Sequence, residues 1–368
     1  MKILLVANMY PSKAFPSYGV FVRNTENILL DAGFNVEKVV LQKKMGKVAK
    51  LLGYAKYYAS IVKNGLRTDI DVLYVHYAAH NAFPLLLLKK MKPSVKIVTN
   101  VHGSDVVPEV QSQEKFQPYV KRLLEISTTI ITPSNYYKKL VRKKYGVTTP
   151  IEVFPSGGVN ETVFYPQHEN RDSLCSDLGL DPSFRYVGLV NRLDVGKGWQ
   201  FFVEAAAQYI QENRDSDVRF IVVGSGKEED AFKQSVLDQN LQNHLIHFPL
   251  MKQQDLAKIY NVIEVFVFPT IREGESLGLV GLESMACRTP IIGSAMAGLL
   301  DYTVDGKNGW LFEPSNANDL YVKLVHVLSL SRLEREKIAE QAYLTAQTYE
   351  QKAVQPKLAQ IFSSIEQG

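Results

Sequence analysis

The run VFVFPT at 265–270, followed by REGESLGLVGLESMACRTPII at 272–292, decides the fold. Its first residues are β-branched and aromatic, as in a strand buried on both faces. Glu275 and Glu283 are separated by seven residues, and Gly278 stands where a helix can begin. That helix runs to about Cys287, and Thr289-Pro290 stops it. A strand passing through glycine into a helix aims free N–H groups and the positive dipole end at one spot, which suits a pyrophosphate. Without its surroundings, the same string could be a loop and an amphipathic helix with two solvated glutamates.

Outward from this segment, short apolar runs alternate with helix-length stretches. Strands are expected at 186–192, 219–226, 245–248, 265–270 and 290–295, and earlier at 3–8, 36–41, 72–77, 96–102, 129–134 and 151–156. Strand–helix alternation given twice implies an α/β protein with two parallel sheets, each covered by helices. Turn-forming residues at 157–183 divide the halves, including Gly157-Gly158 and Asp181-Pro182. The expected domains are 1–165 and 166–348, with a terminal amphipathic helix at 349–368 packing back on the first. In such sheets ligands bind beyond the carboxyl ends of the strands, so residues just after strands matter most.

The chain has 368 residues, 46% hydrophobic and 22% charged, enough for two globular cores. Only Cys175 and Cys287 are present, which excludes a disulfide framework or a cysteine-rich zinc site and fits a cytoplasmic setting. The first apolar run, Ile3 to Ala7, is too short for a signal-peptide core. AFPLLLL at 82–88 falls far short of a bilayer span. Residues 1–165 hold 23 Lys/Arg against 11 Asp/Glu, whereas 166–368 hold 19 against 27. The first half is therefore expected to meet something anionic. A nucleic-acid partner is not expected, because no aromatic platform or basic recognition motif accompanies the charge.

Several residues after strands carry usable chemistry. Arg192 and Lys197 follow a strand in NRLDVGKG, with Gly196 and Gly198 allowing close backbone approach. Two cations there could neutralise a leaving diphosphate. His102 ends a strand before Gly103, Ser104 and Asp105, and Asp105 could cap the next helix. Gly19 lies in the loop PSKAFPSYGVFVRN, and Gly224, Ser225 and Gly226 follow another strand. Each of these could also be plain turn chemistry or a solvated charge.

Taken together, these strings resemble glycosyltransferase family 4 (group 1), retaining enzymes of the GT-B fold. The resemblance covers nearly the whole chain. Glu275 and Glu283 match the family's paired-glutamate signature, 191–198 its basic donor loop, and HGSD at 102–105 its first-domain motif. PSGGVN at 155–160 matches the hinge, and GLLDYTVDGKNGWLFEP at 298–314 the closing segment. The resemblance implies two Rossmann-like domains facing across a central cleft and a nucleotide-diphosphate sugar as donor. It assigns catalysis to His102, Glu275, Arg192 and Lys197. Donor binding would fall to Gly19, Gly224, Gly226, Arg192, Lys197, Glu275, Gly278, Leu279 and Glu283, with Glu283 on the ribose and Glu275 on the transferred hexose or N-acetylhexosamine. UDP is the expected nucleotide, although Pro249 stands where members usually carry glycine. No cofactor or metal is implied. Asp69-Ile70-Asp71 spells a metal motif of another glycosyltransferase fold but precedes a strand, and is read as coincidence.

Other readings share the architecture. A nucleotide-sugar 2-epimerase would need the donor but no acceptor, and a non-catalytic scaffold would keep the fold alone. A hydrolase pair is disfavoured: eight helical residues span ~12 Å, against roughly 5–9.5 Å between hydrolase carboxylates.

The stretch 43–67 has seven basic residues and no acidic one. On a helix, Val48, Leu51, Leu52, Ala55, Tyr58, Ala59, Val62 and Leu66 form one stripe flanked by lysines. That pattern either packs on the first sheet or lies on an anionic membrane. The second outcome implies a polyprenyl-linked glycan acceptor at the inner face of the cell membrane, in surface polysaccharide synthesis.

Overall fold

The computed structural model describes every residue except 16, 17, 44, 168, 169 and 368. Those positions of the first loop, the basic stretch, the linker and the terminal segment lie outside the described residues. The chain divides into two compact units, Met1–Gly157 with Lys352–Gly368, and Gly158–Gln351. Residues 158–165 belong to the second unit because Val159 and Phe164 are buried in its core.

The first unit is built on β1 (Lys2–Ala7), β2 (Asn35–Val40), β3 (Val72–His76), β4 (Lys96–Asn100), β5 (Thr129–Thr132) and β6 (Ile151–Val153). They form one sheet in the order β2-β1-β3-β4-β5-β6, with every pairing parallel. Both faces are covered. Leu4 and Val6 of β1 point into a core shared with α2 (Lys47–Gly65) and α3 (Ala78–Met91). Ile3 and Leu5 point into another, which takes Val22, Ile28 and Leu29 of α1 (Val20–Asp31) and Val354, Leu358, Phe362 and Ile365 of the terminal helix Gln351–Gln367.

The second unit repeats the plan with β7 (Arg185–Val190), β8 (Val218–Val223), β9 (Leu245–Phe248), β10 (Ile263–Phe268), β11 (Ile291–Ser294) and β12 (Gly309–Phe312). The order is β12-β11-β10-β7-β8-β9, again all parallel. In both sheets the chain starts in the interior, builds to one side and then crosses to the other. The crevice at that reversal, between β1 and β3 in one unit and β7 and β10 in the other, is where such sheets hold ligands.

The basic stretch does form a helix, but the aliphatic stripe is not the packed face. α2 buries Tyr57, Ile61 and Gly65, and Leu88 of α3 sits so close that a Cβ on Gly65 would lie 2.3 Å from its Cδ2. Val48 and Leu51 are 72% and 73% exposed. The reading in which this stripe packs on the sheet is thus overturned: close helix approach at a glycine, together with a tyrosine, outweighs the aliphatic periodicity.

Phe362 is fully buried, its ring 5.0 Å from Tyr74 and 6.2 Å from Phe34. Phe362→Ala should cost the first unit about 3–5 kcal/mol. Hydrogen exchange should accelerate at β1 and β3 and stay unchanged at β7, β8 and β10.

Candidate functional site

In the second unit, three loops meet beyond the carboxyl ends of β7, β8 and β10. The β7 loop is tied to the β8 loop by Leu193 N–H donating to Ser225 O at 3.2 Å and Glu228 N–H to Leu193 O at 2.8 Å. It is tied to the β10 loop by Ile271 N–H donating to Gly196 O at 2.9 Å. Gly224 has φ 151°, and a Cβ there would fall 1.8 Å from Asn191 O, so only glycine lets these two loops touch. Beside it, His247 Nε2 lies 2.8 Å from Gly224 O.

The polar centre of the site is one ion pair. Lys197 Nζ donates to Glu275 Oε2 at 2.7 Å, with side chains only 11% and 16% exposed. Thr270 Oγ1 stands 3.5 Å from the same carboxylate oxygen. Three residues on, Gly278 opens the helix Leu279–Ala286 with φ 80° and no side-chain cap. A Cβ on Gly278 would meet the Phe268 ring at 2.7 Å. The first-turn amides of Leu279 and Val280 have no intrahelical partner and add positive potential. Arg192 stands apart: 62% exposed, it pairs with Asp194 at 3.1 Å.

Glu283 lies on the same short helix. Burial pushes its carboxyl up to about 7; burial likewise holds the neighbouring Tyr260 and Cys287 in their neutral forms, with negative charge on Glu283 a smaller contribution.

In the first unit, His102 follows β4 and is enclosed by rings. Phe21 and Tyr77 lie 4.7 Å and 4.8 Å from it, centroid to centroid. Its Nε2 lies 3.0 Å from His76 Nδ1, and His76 Nε2 lies 3.1 Å from Thr25 Oγ1. Thr25 spends its own proton on Val22 O at 2.9 Å. The Thr25 oxygen therefore accepts from His76 Nε2–H, His76 Nδ1 accepts from His102 Nε2–H, and the lone pair of His102 rests on Nδ1. Burial lowers the pKa of both imidazoles, so the relay is neutral at pH 7. Asp105 accepts from the amides of His102, Gly103 and Ala78 at 3.0, 2.9 and 3.0 Å. It thus fixes the loop and starts α3. Gly19 caps α1 at φ 78°.

In the second unit Gly224 and Gly226 abut the β7 loop at Asn191 and Leu193, Lys197 pairs with Glu275, and Gly278, Leu279 and Glu283 lie at the start of and along the helix that follows, while Arg192 is exposed and paired with Asp194. In the first unit Gly19 packs against the backbone of Met9 and Tyr10, just after β1, and His102 stacks on Tyr77, just after β3. Asp69 and Asp71 lie at the opposite end of β3, occupied by Lys2 and Arg67. Thr25, His76, Tyr77 and Thr270 were not singled out in the sequence. For His76 and Thr270 the only available signal was a polar residue at the end of an apolar run.

Ionisation of Glu283 gives a pH test. The unfolded carboxyl ionises near 4.5 and the folded one near 7, so between these values the native state holds the extra proton. Stability contributed by this group is full below 4.5 and falls as pH rises through 7. Glu283→Gln should remove that slope. Denaturant titration should find the variant equal to wild type at pH 4.5 and more stable at pH 8, by on the order of 1–3 kcal/mol.

Two family models match. One described as glycosyl transferases group 1 covers residues 171–345, and one described as glycosyltransferase family 4 covers residues 19–158. The chain is 26% identical over 285 residues to N-acetyl-alpha-D-glucosaminyl L-malate synthase of Bacillus anthracis, covering 75% of this chain and 71% of the relative. Sucrose-phosphate synthase from Thermosynechococcus elongatus superposes with a TM-score of 0.81 at 19% identity over 99% of each chain. Anabaena Alr3699/HepE, crystallised with UDP, gives 0.76 at 17% identity over 99% of this chain and 100% of that one.

Proposed function

Because the chain belongs to glycosyltransferase family 4 (group 1) and has the GT-B fold, we propose that it is a retaining enzyme moving a hexose or N-acetylhexosamine from a UDP-sugar to a glycan acceptor. The observation that carries the donor half is the Lys197–Glu275 pair beside the open helix start at Gly278. A diphosphate placed there draws Lys197 toward it, and the first-turn amides of Leu279 and Val280 complete its neutralisation. Glu275 then loses its cation and turns an acceptor oxygen to a sugar hydroxyl. Glu283 accepts from the ribose hydroxyls, a bond that favours the carboxylate form. Arg192 can leave Asp194 to meet the leaving phosphate. His102, neutral and with its Nδ1 lone pair free by the relay above, accepts from a substrate hydroxyl. UDP is favoured because a protein of the same fold is crystallised with it.

Lys197→Ala should lower turnover by ~10²–10³, the typical cost of removing one stabiliser of developing negative charge. The fold should be unchanged by circular dichroism. Since Lys197 and the helix start supply the neutralising charge, wild-type turnover should persist in EDTA. Undiminished turnover of the alanine variant would remove the assignment.

The same proposal places the acceptor at an anionic membrane. Met45, Val48, Leu51 and Leu52 are all more than half exposed at the start of α2, among the exposed Lys47, Lys50 and Lys56. α3 packs on α2 and presents a further exposed stripe of Phe83, Leu87 and Met91 beside Lys90. Apolar side chains ringed by lysines fit a headgroup boundary, each cation contributing about 1 kcal/mol near anionic lipid. A polyprenyl-linked glycan is then the natural acceptor. Vesicles containing phosphatidylserine should sediment more protein than phosphatidylcholine vesicles at low salt, and Leu51→Glu should reduce capture about tenfold. Equal capture by both vesicle types would exclude the membrane surface.

A further inference from the structure

After β11 the chain makes a 3₁₀ turn, Ala297–Asp301, that lies against the loop carrying Glu275. Gly298 N–H donates to Glu275 O at 3.0 Å. A Cβ on Gly298 would fall 2.5 Å from Leu277 Cα and 2.6 Å from Ser276 O, so the two backbones are in direct contact. Ala297 enters the turn at φ 53°, a conformation that residues with a side chain rarely adopt. The turn therefore braces the loop from behind.

Just past the turn, Tyr302 reaches back to the start of the helix Leu279–Ala286. Its hydroxyl donates to Gly278 O at 3.0 Å, and the Gly281 amide donates to the same oxygen at 3.0 Å. Both lone pairs of that carbonyl are thus engaged. A planar trans peptide sets the Leu279 N–H antiparallel to the Gly278 carbonyl. Whatever fixes the oxygen therefore fixes the direction of the amide, the first of those without an intrahelical partner. The tyrosine is itself anchored. It is 3% exposed, and its carbonyl accepts from Asn308 Nδ2 at 2.8 Å. Asn308 also donates to Thr345 Oγ1 at 2.9 Å and accepts from Val304 N–H at 2.7 Å. Burial, and then the negative charge of Glu275, raise the pKa of the Tyr302 hydroxyl well above its ordinary value, so it stays a donor at neutral and mildly alkaline pH. The helix makes room for this one oxygen: a Cβ on Gly281 would lie 2.4 Å from Tyr302 Oη. Glycine inside a helix is destabilising relative to alanine. A ring that only filled the core would need neither the hydroxyl nor the glycine.

We infer that Tyr302 is a positioning residue for the donor diphosphate: its hydroxyl, admitted by Gly281, holds the Gly278–Leu279 peptide so that the Leu279 amide faces the phosphates. The inference rests on the donor reading above and adds to it the group that aims the helix start. Tyr302 touches no substrate. It acts through the backbone, and Gly281 matters only through Tyr302.

The test is a double-substitution cycle on the full chain, read by calorimetry with UDP and inorganic pyrophosphate, well below the melting temperature of each variant. A merely structural role would move the melting temperature and leave the affinity of the folded protein alone. Tyr302→Phe keeps the ring and removes the oxygen; it should weaken both probes by the same factor, about tenfold. Gly281→Ala keeps the oxygen but displaces it, and should weaken UDP comparably. With the oxygen gone, the nearest ring atom lies 3.3 Å from the added Cβ, a contact that a small shift relieves. The double variant should therefore bind UDP within about twofold of Tyr302→Phe alone, a non-additive result. Wild-type UDP affinity in Tyr302→Phe, losses that add in the double variant, or weaker UDP with unchanged pyrophosphate would each overturn the inference and leave the donor site standing. Should Tyr302→Phe not fold, Gly281→Ala decides, and unchanged UDP affinity there overturns it. A wild-type chain that binds pyrophosphate but not UDP removes the nucleotide assignment, while the same cycle read with pyrophosphate still judges Tyr302. Binding of neither probe removes the donor reading and this inference with it.

Discussion

Lys197 and Glu275 meet at 2.7 Å, almost withdrawn from water, at the point where two loops of the second unit cross. A partly buried pair of this kind contributes little net stability, because desolvation offsets attraction. Its value lies in what it constrains. Either group alone would be an uncompensated charge in a sheltered place, so the β7 loop must stay against the β10 loop. Glycines at 196 and 198 make that approach possible: a Cβ on Gly198 would fall 1.7 Å from Pro269 O. The pair therefore keeps both side chains in position, and in the proposed reaction a diphosphate would exchange partners with it without rebuilding the loops.

The first unit uses a different device for the same end. Among the described residues His102 has no ion-pair partner; a chain of hydrogen bonds through His76 to Thr25 holds it, with Asp105 fixing the backbone beneath. Both histidines are too buried to carry charge cheaply. That neutrality makes the direction of each hydrogen bond matter. A single hydroxyl proton, committed by Thr25 to Val22 O, sets which nitrogen of His102 keeps its lone pair.

The sequence made the parallel sheets legible because their strands are apolar on both faces, and the site legible because its glycines and charges cluster just after strands. β12 was not recognised as a strand: GWLF is four residues long and follows Asp305, Gly306 and Asn308, which read as turn. α2 was recognised as a helix but its packed face was not. Hydrophobic periodicity selects Val48, Leu51 and Leu52, while the contact is made through Gly65, whose merit is the absence of a side chain. His76 was invisible for a related reason: a buried histidine inside VLYVHY is defined by the partners that fold brings to it, Thr25 from α1 and His102 from the end of β4.

Charge shows most sharply where local geometry overrides composition. Residues 166–368 carry 27 acidic against 19 basic residues, yet most of the groups proposed to meet an anionic donor lie there. Net charge acts at long range and is screened within about a Debye length, near 8 Å at physiological salt. A lysine 11% exposed and two unpaired amides at a helix start act at contact distance, where little water intervenes to weaken them. The basic excess of the first half works differently. Lys47, Lys50 and Lys56 are solvated, individually weak, and effective only together against an extended anionic surface. A membrane is such a surface and a free nucleotide is not. Buried cations and solvated ones thus act on negative charge in two physical regimes, one at contact and one collective, and burial decides which regime a given lysine belongs to.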